Sequence, residues 1–264
     1  MKKFLLVVAA IITIVSCKNK SDINTDFMKD EEIKKEENTT ENTFKVTPIS
    51  HATMVLEIDG KVIYVDPVGE RTAFKEFKSP DLILVTDIHG DHLNAETIEA
   101  VRTSKTKIIV PQAVADKLPE SLKTQIDVLN NGETKEHFEL SIEAIPMYNL
   151  REEALKFHSK GRGNGYVIES NNERIYISGD TEDIPEMRAL KNIDRAFVCM
   201  NLPYTMPVAN AADAVLEFKP KKVYPYHYRG TEGLSDVDNF KSLIKKGATG
   251  EIEVVQLDWY PSID

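Results

Sequence analysis

Short apolar runs, each bounded by turn residues, divide most of the chain into strands and helices. The first half predicts the following elements in order: strands at 45–49, 53–58, 61–65 and 82–85, a helix at 95–102, a strand at 107–110 and a short helix at 112–117. Asp59-Gly60 separates the second and third strands, and Asp-Gly is a favoured two-residue hairpin turn. The domain is therefore predicted to begin with an antiparallel β meander.

The second half echoes the first, with a hairpin followed by alternating helices and strands. Its predicted elements are strands at 165–169 and 174–178, a helix at 185–190, a strand at 195–200, a helix at 208–218, a strand at 222–226 and a helix at 236–245. Two halves of this kind predict an α+β fold, in which two mixed β-sheets pack face to face with helices outside. This arrangement is a four-layer αββα sandwich.

The first 16 residues have the pattern of a signal peptide and are not expected to be part of the fold. Two lysines, an apolar run from Phe4 to Val15 and a small residue before Cys17 form this pattern, and the run is too short to span a bilayer comfortably. Residues 14–17 also resemble the lipobox of bacterial lipoproteins. The resemblance implies a lipid anchor on Cys17 and a place in the bacterial cell envelope, on the periplasmic or surface side. An ordinary cleaved signal or a short anchor helix is the alternative.

Residues 17–43 are polar, and Phe27 is their only aromatic residue. Such a segment buries too little apolar surface to offset its ordering entropy, so it is predicted to be a disordered, lipidated tether. The remaining residues, 44–264, are sufficient for one domain with a substantial core.

The charge of the chain disfavours nucleic acid as a partner. The formal net charge is −10, and about −9 remains on residues 44–264 once Lys2, Lys3 and the five lysines and eight acidic residues of the tether are set aside. Nucleic-acid binding usually requires a basic patch. Cys199 would be the only cysteine left after lipidation of Cys17, so no internal disulfide is predicted, and its apolar surroundings indicate an inert core residue.

Potential metal ligands are concentrated directly after the buried strand at 82–85, in the stretch Thr86-Asp87-Ile88-His89-Gly90-Asp91-His92. On an extended loop, side chains two residues apart point the same way. Asp87, His89 and Asp91 are therefore predicted to converge, while His92 turns to a neighbouring position. One loop could thus supply two adjacent ions. Imidazole and carboxylate ligands suit zinc, iron or manganese.

Other histidines and carboxylates follow later strands. Asp180 comes directly after the strand at 174–178, and His227 comes directly after the strand at 222–226. His158 lies in the loop ahead of the second hairpin. Loops at strand ends are where functional groups concentrate on a rigid scaffold. His137, in a charged stretch, is predicted to be a solvent-exposed surface residue.

Taken together, these residues resemble the motifs of the metallo-β-lactamase superfamily. Residues 87–92 match the first motif, HxHxDH, at all but its first position, and the later motif positions resemble His158, Asp180 and His227. The resemblance covers essentially the whole folded domain. Within the superfamily, the chain is most similar to the branch of uncharacterised hydrolases and sugar-phosphate lactonase-like proteins, and the fold it implies is again the αββα sandwich.

The resemblance also implies a site for two divalent ions. One ion would be held by Asp87, His89 and His158, a second by Asp91, His92 and His227, with Asp180 bridging them. Zinc is the expected metal, with manganese or iron as alternatives because Asp87 stands where the superfamily usually has histidine and a carboxylate favours harder ions. Asn149 is a rival of His158 for the wall of the first site.

Four further residues are candidates for supporting roles. His51 lies between the first two strands and Asp66 ends the third, so both could face the site from the meander. Asp66 is interpreted as an acceptor that fixes the tautomer of a ligand histidine, and a turn-forming role is the alternative. Tyr204 and Tyr228 are candidate substrate contacts, with packing as the alternative.

The expected chemistry is hydrolysis of an ester-like bond in a small molecule. Metal coordination lowers the pKa of water from about 16 to roughly 7, so a metal-bound hydroxide would be the nucleophile. Asp91 and Asp180 would hold and relay its proton. Lactones, carboxylic esters and phosphodiesters all suit this machinery. The alternative is a non-catalytic metal- or ligand-binding envelope lipoprotein whose site has drifted at Asp87.

Overall fold

The computed structural model describes residues 43–261, and in this range strands and helices follow in chain order. The strands are β1 (Phe44–Ser50), β2 (Thr53–Ile58), β3 (Lys61–Val65), β4 (Leu82–Leu84), β5 (Lys107–Val110), β6 (Ile126–Val128), β7 (Thr134–His137), β8 (Leu140–Met147), β9 (Gly163–Ser170), β10 (Glu173–Ile177), β11 (Arg195–Cys199), β12 (Lys222–Tyr226), β13 (Arg229–Gly230), β14 (Gly233–Leu234) and β15 (Glu253–Val254). The α-helices are α1 (Ala95–Val101), α2 (Gln112–Ala115), α3 (Pro185–Arg188), α4 (Val208–Phe218) and α5 (Val237–Gly247). Short 3-10 helices span Arg71–Phe74, Glu120–Leu122 and Glu152–Ala154.

The strands form two large mixed sheets and one small one. The first sheet has the order β1-β2-β3-β4-β5-β6, the second has the order β15-β12-β11-β10-β9-β8-β7, and β13 pairs with β14. In the first sheet β3 to β6 run parallel, and in the second sheet β10, β11, β12 and β15 run parallel. The remaining neighbours in the two large sheets are antiparallel, so each sheet combines a hairpin half with a parallel half.

The first sheet is buried on both faces because its strands alternate side chains between two cores. In β4, Leu82 and Leu84 belong to the main core, whereas Ile83 belongs to the core that includes Ile98 of α1. The main core joins the two sheets and extends to Val215 of α4. The layers therefore follow the order helix, sheet, sheet, helix, which confirms the predicted αββα sandwich.

Three strands between residues 126 and 147 were not predicted. The turn between β7 and β8 consists of Phe138 and Glu139, both at positive φ (55° and 69°), and neither residue is a usual turn former. The local sequence therefore gives little sign of a hairpin. The observed hairpin places His137 at the end of β7. Its side chain is 18% exposed, and its Nε2 lies 2.9 Å from Asp127 Oδ2. His137 is therefore partly buried beside Asp127 at the edge of the second sheet, and less exposed than predicted.

Several predicted features lie outside the described residues. They are the signal peptide (1–16), the lipidation site Cys17 and nearly all of the tether (17–43), and they stay predictions. Within residues 43–261 there is no helix whose length and hydrophobicity would suit it to crossing a membrane. Cys199 is buried as predicted, and burial raises the pKa of its thiol to about 12.

Candidate metal centre

Strand ends bring the predicted ligands together. β3 and β4 are parallel neighbours, and Asp66 and Asp87 come shortly after them. In the second sheet β10, β11 and β12 are parallel, and Asp180 and His227 come shortly after β10 and β12. His92 of the first half contacts both, with its Nε2 3.3 Å from Asp180 Oδ2 and 3.1 Å from His227 Nε2. The two sheet edges therefore meet at one site.

Three groups of potential ligands form at this site, and in each group the ligand atoms lie within 4.8 Å of one another. The groups are Asp87 with His89 and His158, His92 with Asp180 and His227, and His51 with Asp91 and His227. All seven predicted ligands are thus brought together, and His51 joins them.

The loop after β4 is a tight turn and not an extended segment. The backbone N–H groups of His92 and Leu93 donate to the His89 carbonyl at 3.0 and 2.8 Å. Asp87 and His89 stay together, with Oδ2 and Nδ1 2.8 Å apart, but Asp91 Oδ2 lies 3.5 Å from His227 Nε2 in a different group. The predicted convergence of Asp87, His89 and Asp91 is therefore wrong, because the turn breaks the alternation of an extended backbone.

His92, Asp180 and His227 have the spacing of ligands around one cation. The two histidine Nε2 atoms lie 3.1 Å apart, and they lie 3.3 and 3.1 Å from the Asp180 carboxylate oxygens. Ligands about 2.0–2.1 Å from a tetrahedral zinc ion lie roughly 3.3 Å from each other. Among the described residues, Asp180 Oδ1 and His158 Nε2 are buried and make no hydrogen bond of acceptable geometry. The distances, the donor set and these unpartnered atoms fit a divalent cation.

Hydrogen bonds at Nδ1 direct the lone pairs of two histidines into the site. His92 Nδ1 lies 2.8 Å from Asp66 Oδ2, and His158 Nδ1 lies 3.1 Å from the Tyr204 carbonyl. Because these oxygens accept a proton, each neutral ring carries its proton on Nδ1 and leaves Nε2 free. Asp66 is itself held by the backbone N–H of Thr86 at 2.7 Å. It occupies the position that its hypothesised orienting role requires.

Replacing Asp66 by asparagine tests this orienting role. The variant keeps the shape of the side chain but removes the anionic acceptor, so we expect the affinity for zinc to fall about 10- to 100-fold at unchanged stoichiometry. Titration of metal-free protein with zinc measures both quantities. Asp81→Asn is the control, because Asp81 accepts a backbone N–H from Val62 at the opposite end of the same strands. An unchanged affinity in Asp66→Asn would contradict the role.

His51 donates to Asp91 and does not offer a lone pair. The Tyr260 hydroxyl oxygen accepts the backbone N–H groups of Tyr228 and Arg229, both at 3.1 Å. Its own proton is therefore directed to His51 Nδ1, 2.8 Å away. Burial lowers the pKa of His51, and the neutral ring then carries its proton on Nε2, which lies 3.3 Å from Asp91 Oδ2. His51 thus holds the Asp91 carboxylate.

The charges of the site favour a bound cation. Burial opposes ionisation of Asp180, but the nearby imidazoles of His227, His92 and His158 hold its pKa well below the usual range. Burial likewise opposes a charge on His92, but the carboxylates of Asp180 and Asp66 raise its pKa well above the usual value. An electrostatic field that attracts a proton to this position also attracts a metal ion.

Of the two rivals for the wall of the first group, His158 is the one that reaches it. The Asn149 amide donates to the carbonyls of Ala154 and Tyr204 at 2.9 and 2.7 Å, so it lies behind the imidazole. A ring nitrogen of His158 lies within 4.8 Å of ligand atoms of Asp87 and His89. Asn149 therefore supports the loop that carries His158.

Asp87 has a partner that sequence reasoning missed. Arg162 Nε and Nη2 donate to Asp87 Oδ1 and Oδ2 at 3.1 and 2.9 Å. Burial opposes ionisation of Asp87, but hydrogen bonds from His89 and Arg162 and the charge of His92 hold its pKa below the usual value. The only sequence signal for Arg162 is its position between His158 and the second hairpin.

Strained backbone positions cluster at the site. His51, Asp66 and His227 have positive φ values of 56°, 45° and 46°. Such values are uncommon for residues other than glycine and cost about 1–3 kcal/mol each, so the surrounding structure must enforce them. Gly179, at φ 60°, forms the turn before Asp180, and an added Cβ there would lie 2.6 Å from Met147 Sδ.

A cavity of about 320 Å³ opens onto the site. Its lining combines five of the site's histidines and carboxylates with four further residues: His51, His89, Asp91, His158 and Asp180, and Phe157, Asn201, Tyr204 and Arg229. Tyr204 lines the cavity, which is where a substrate contact would lie. Tyr228 is nearly buried and packs on Tyr260, with ring centroids 5.0 Å apart, which corresponds to the packing alternative. Arg229, which sequence reasoning missed, adds a positive charge to the cavity wall.

Two face-to-face sheets, outer helices and a histidine–carboxylate cluster at the strand ends define the class of αββα metallohydrolases. A family model described as "Beta-lactamase superfamily domain" matches residues 45–227 of the chain. The chain belongs to the metallo-β-lactamase superfamily and is a metal-dependent hydrolase of that superfamily.

Relatives and solved structures agree with this assignment. The UPF0173 metal-dependent hydrolase PH1671 of Pyrococcus horikoshii is 32% identical over 222 residues, which cover 80% of this chain and 96% of the relative. A protein of Parabacteroides distasonis described as a metal-dependent hydrolase has a structure 40% identical in sequence, with a TM-score of 0.72 over 81% of this chain and 94% of that one. The metallo-beta-lactamase fold protein YhfI of Bacillus subtilis shares the fold at 14% identity, with a TM-score of 0.62 over 81% of this chain and 97% of that one. The predicted superfamily is confirmed.

Proposed function

We propose that the protein hydrolyses an ester-like bond, in a lactone, carboxylic ester or phosphodiester, at a site for two divalent ions. The observation that supports this most directly is the spacing of His92, Asp180 and His227 beside unpartnered atoms of Asp180 and His158 at the base of a cavity. Zinc is the expected metal, with manganese or iron as alternatives. A divalent cation bound there supplies a Lewis acid and lowers the pKa of coordinated water to about 7.

Asp180 and Asp91 have different roles in this proposal. Asp180 lies where the ligand groups meet, with one oxygen 3.1 Å from His227 Nε2 and the other 3.1 Å from His158 Nε2, so it would bridge the two positions. Asp91 is 42% exposed and lines the cavity, and His51 holds one of its oxygens. Its carboxylate is placed to accept a proton from the attacking water and to pass it to the leaving group.

The cavity limits the substrate to a small molecule. Its volume of about 320 Å³ is near the lower end of the range of roughly 300–1,000 Å³ for ligand pockets. Phe157 and Tyr204 offer aromatic surface to the substrate, and Arg229 offers a positive charge to an anionic group. A carboxylate or phosphate on the substrate or product suits this wall.

The proposal is tested by metal analysis of protein purified without added metal, followed by a panel of chromogenic substrates. We expect at least one equivalent of metal and turnover of at least one ester, lactone or bis-phosphodiester. Within each chemical class, the panel includes a neutral and an anionic compound with the same leaving group. Less than one equivalent of metal, together with no turnover after reconstitution with zinc, manganese or iron, would refute the hydrolase proposal.

A further inference from the structure

We infer that the two metal positions bind with unequal affinity. The position formed by His92, Asp180 and His227 takes a divalent cation first, and the Arg162 guanidinium weakens the position beside Asp87. This inference rests on the proposed function, because it concerns how the same site is loaded.

The lone pairs of Asp87 are already engaged. The side chain is fully buried, and its Oδ1 accepts Arg162 Nε at 3.1 Å. Its Oδ2 accepts Arg162 Nη2 at 2.9 Å and lies 2.8 Å from His89 Nδ1. Two parallel charge-assisted bonds to arginine are among the strongest that a carboxylate forms. A cation that bound Oδ2 would compete with them.

Arg162 is fixed in this place. Its side chain is only 19% exposed, and its Nη2 also donates to the Phe157 carbonyl at 2.5 Å. It does not belong to the residues that line the cavity, so its charge lies behind Asp87 and away from a substrate. A fixed positive charge next to a metal position lowers the affinity of that position for a cation.

The other position has no such competitor among the described residues. Asp180 and Asp91 form their ion pairs with histidines there, not with lysine or arginine. His158 Nε2 lies 3.1 Å from Asp180 Oδ2 but 3.9 Å from Asp87 Oδ2. His158 is therefore nearer to Asp180 than to Asp87. Asp87 also accepts the Nδ1 proton of His89, so a cation at the second position would meet a carboxylate whose oxygens are already hydrogen-bonded.

The test is a titration of metal-free protein with zinc against a competing chelator, with total bound metal measured by elemental analysis. We expect the wild type to bind one equivalent of zinc tightly. The dissociation constant of the second equivalent should be roughly tenfold higher, or more. Arg162→Gln removes the competing charge. The affinity for the second equivalent of zinc should therefore rise roughly tenfold, while the affinity for the first is unchanged.

Two further variants complete the design. Arg162→Gln leaves Asp87 buried without its partner and could impair folding. The double variant Asp87→His/Arg162→Gln avoids this by replacing the pair with a neutral ligand and an amide, and it should bind two tight equivalents. Arg195→Gln is the control, because Arg195 forms an ion pair of 2.6 Å with Glu173 near the other end of β10 and β11. Both zinc affinities should be unchanged in it. Thermal unfolding verifies that each variant is folded.

The possible outcomes separate this inference from the proposed function. Two equivalents of equal affinity in the wild type, or no tighter second equivalent in the folded Arg162 variants, would overturn the inference and leave the proposed function intact. No tight equivalent in any of the proteins would overturn the inference. Only if turnover were also absent after reconstitution with zinc, manganese or iron would the proposed function be overturned with it.

Discussion

Asp180→Asn should lose tight metal binding and turnover together. The Asp180 side chain is 4% exposed, and its two oxygens lie within 3.3 Å of the Nε2 atoms of His92, His158 and His227. Asparagine keeps the shape but removes the negative charge that balances a cation among these rings. We expect the affinity for zinc to fall at least about 100-fold and the turnover number to fall roughly a thousandfold.

The loss should be specific to the site and not a consequence of unfolding. Asp180→Asn leaves the charge of His92 without one of the two carboxylates that favour it, so the metal-free variant should be somewhat less stable at neutral pH than the metal-free wild type. Thermal unfolding verifies that the variant is still folded. Asp183→Asn is the control, because Asp183 lies three residues away and pairs with Arg188 at 2.6 Å. Metal content and turnover are measured for both variants. An Asp180→Asn protein that keeps its metal or its activity would refute the bridging role.

The ligands could be predicted from sequence because each comes directly after a recognisable strand. Asp87, Asp180 and His227 follow β4, β10 and β12, and the carboxyl ends of parallel strands meet at one edge of a sheet. The strand ends do not predict the grouping of Asp91, which the resemblance to the superfamily placed with His92 and His227. Two hydrogen bonds to the His89 carbonyl decide it, and the spacing of the residues does not reveal them.

The residues that support the ligands were harder to predict, because they come from distant parts of the chain. Arg162 lies 75 positions from Asp87, and Tyr260 lies 209 positions from His51. No local periodicity links such pairs, so only the folded chain shows that Asp87 is neutralised and that His51 is a donor. The αββα sandwich itself was predictable, since apolar strands alternate with amphipathic helices through most of the domain.

The position of Asp87 now has a physical explanation. A carboxylate there adds a negative charge to the ligand set, which by itself would strengthen cation binding. Arg162 cancels that charge and occupies both carboxylate oxygens. The carboxylate at position 87 and the buried arginine therefore form one ion pair, and the effect of Asp87 on metal binding depends on Arg162.

Trp259→Ala should cause the largest loss of stability among the proposed variants. The indole is fully buried and contacts the rings of Phe197 and Tyr226, with centroids 6.5 and 5.5 Å away. Its Nε1 makes no hydrogen bond among the described residues, so truncation removes packing without orphaning a polar partner. We expect the free energy of unfolding to fall by about 3–5 kcal/mol, as measured by urea denaturation in the presence of a chelator.

The same variant links the core to the metal site. The Trp259 carbonyl accepts the backbone N–H of His51 at 3.3 Å, and the next residue, Tyr260, orients the His51 ring. His92 and Asp180 depend on other strands, so the tight metal position should persist in Trp259→Ala. Zinc at 100 times its dissociation constant should therefore raise the free energy of unfolding by about 2.7 kcal/mol through mass action.

Leu234→Ala is the control, because Leu234 is 50% exposed and its loss should change stability by no more than about 0.5 kcal/mol. A fall of less than about 1 kcal/mol in Trp259→Ala would contradict the role of the buried indole in the core.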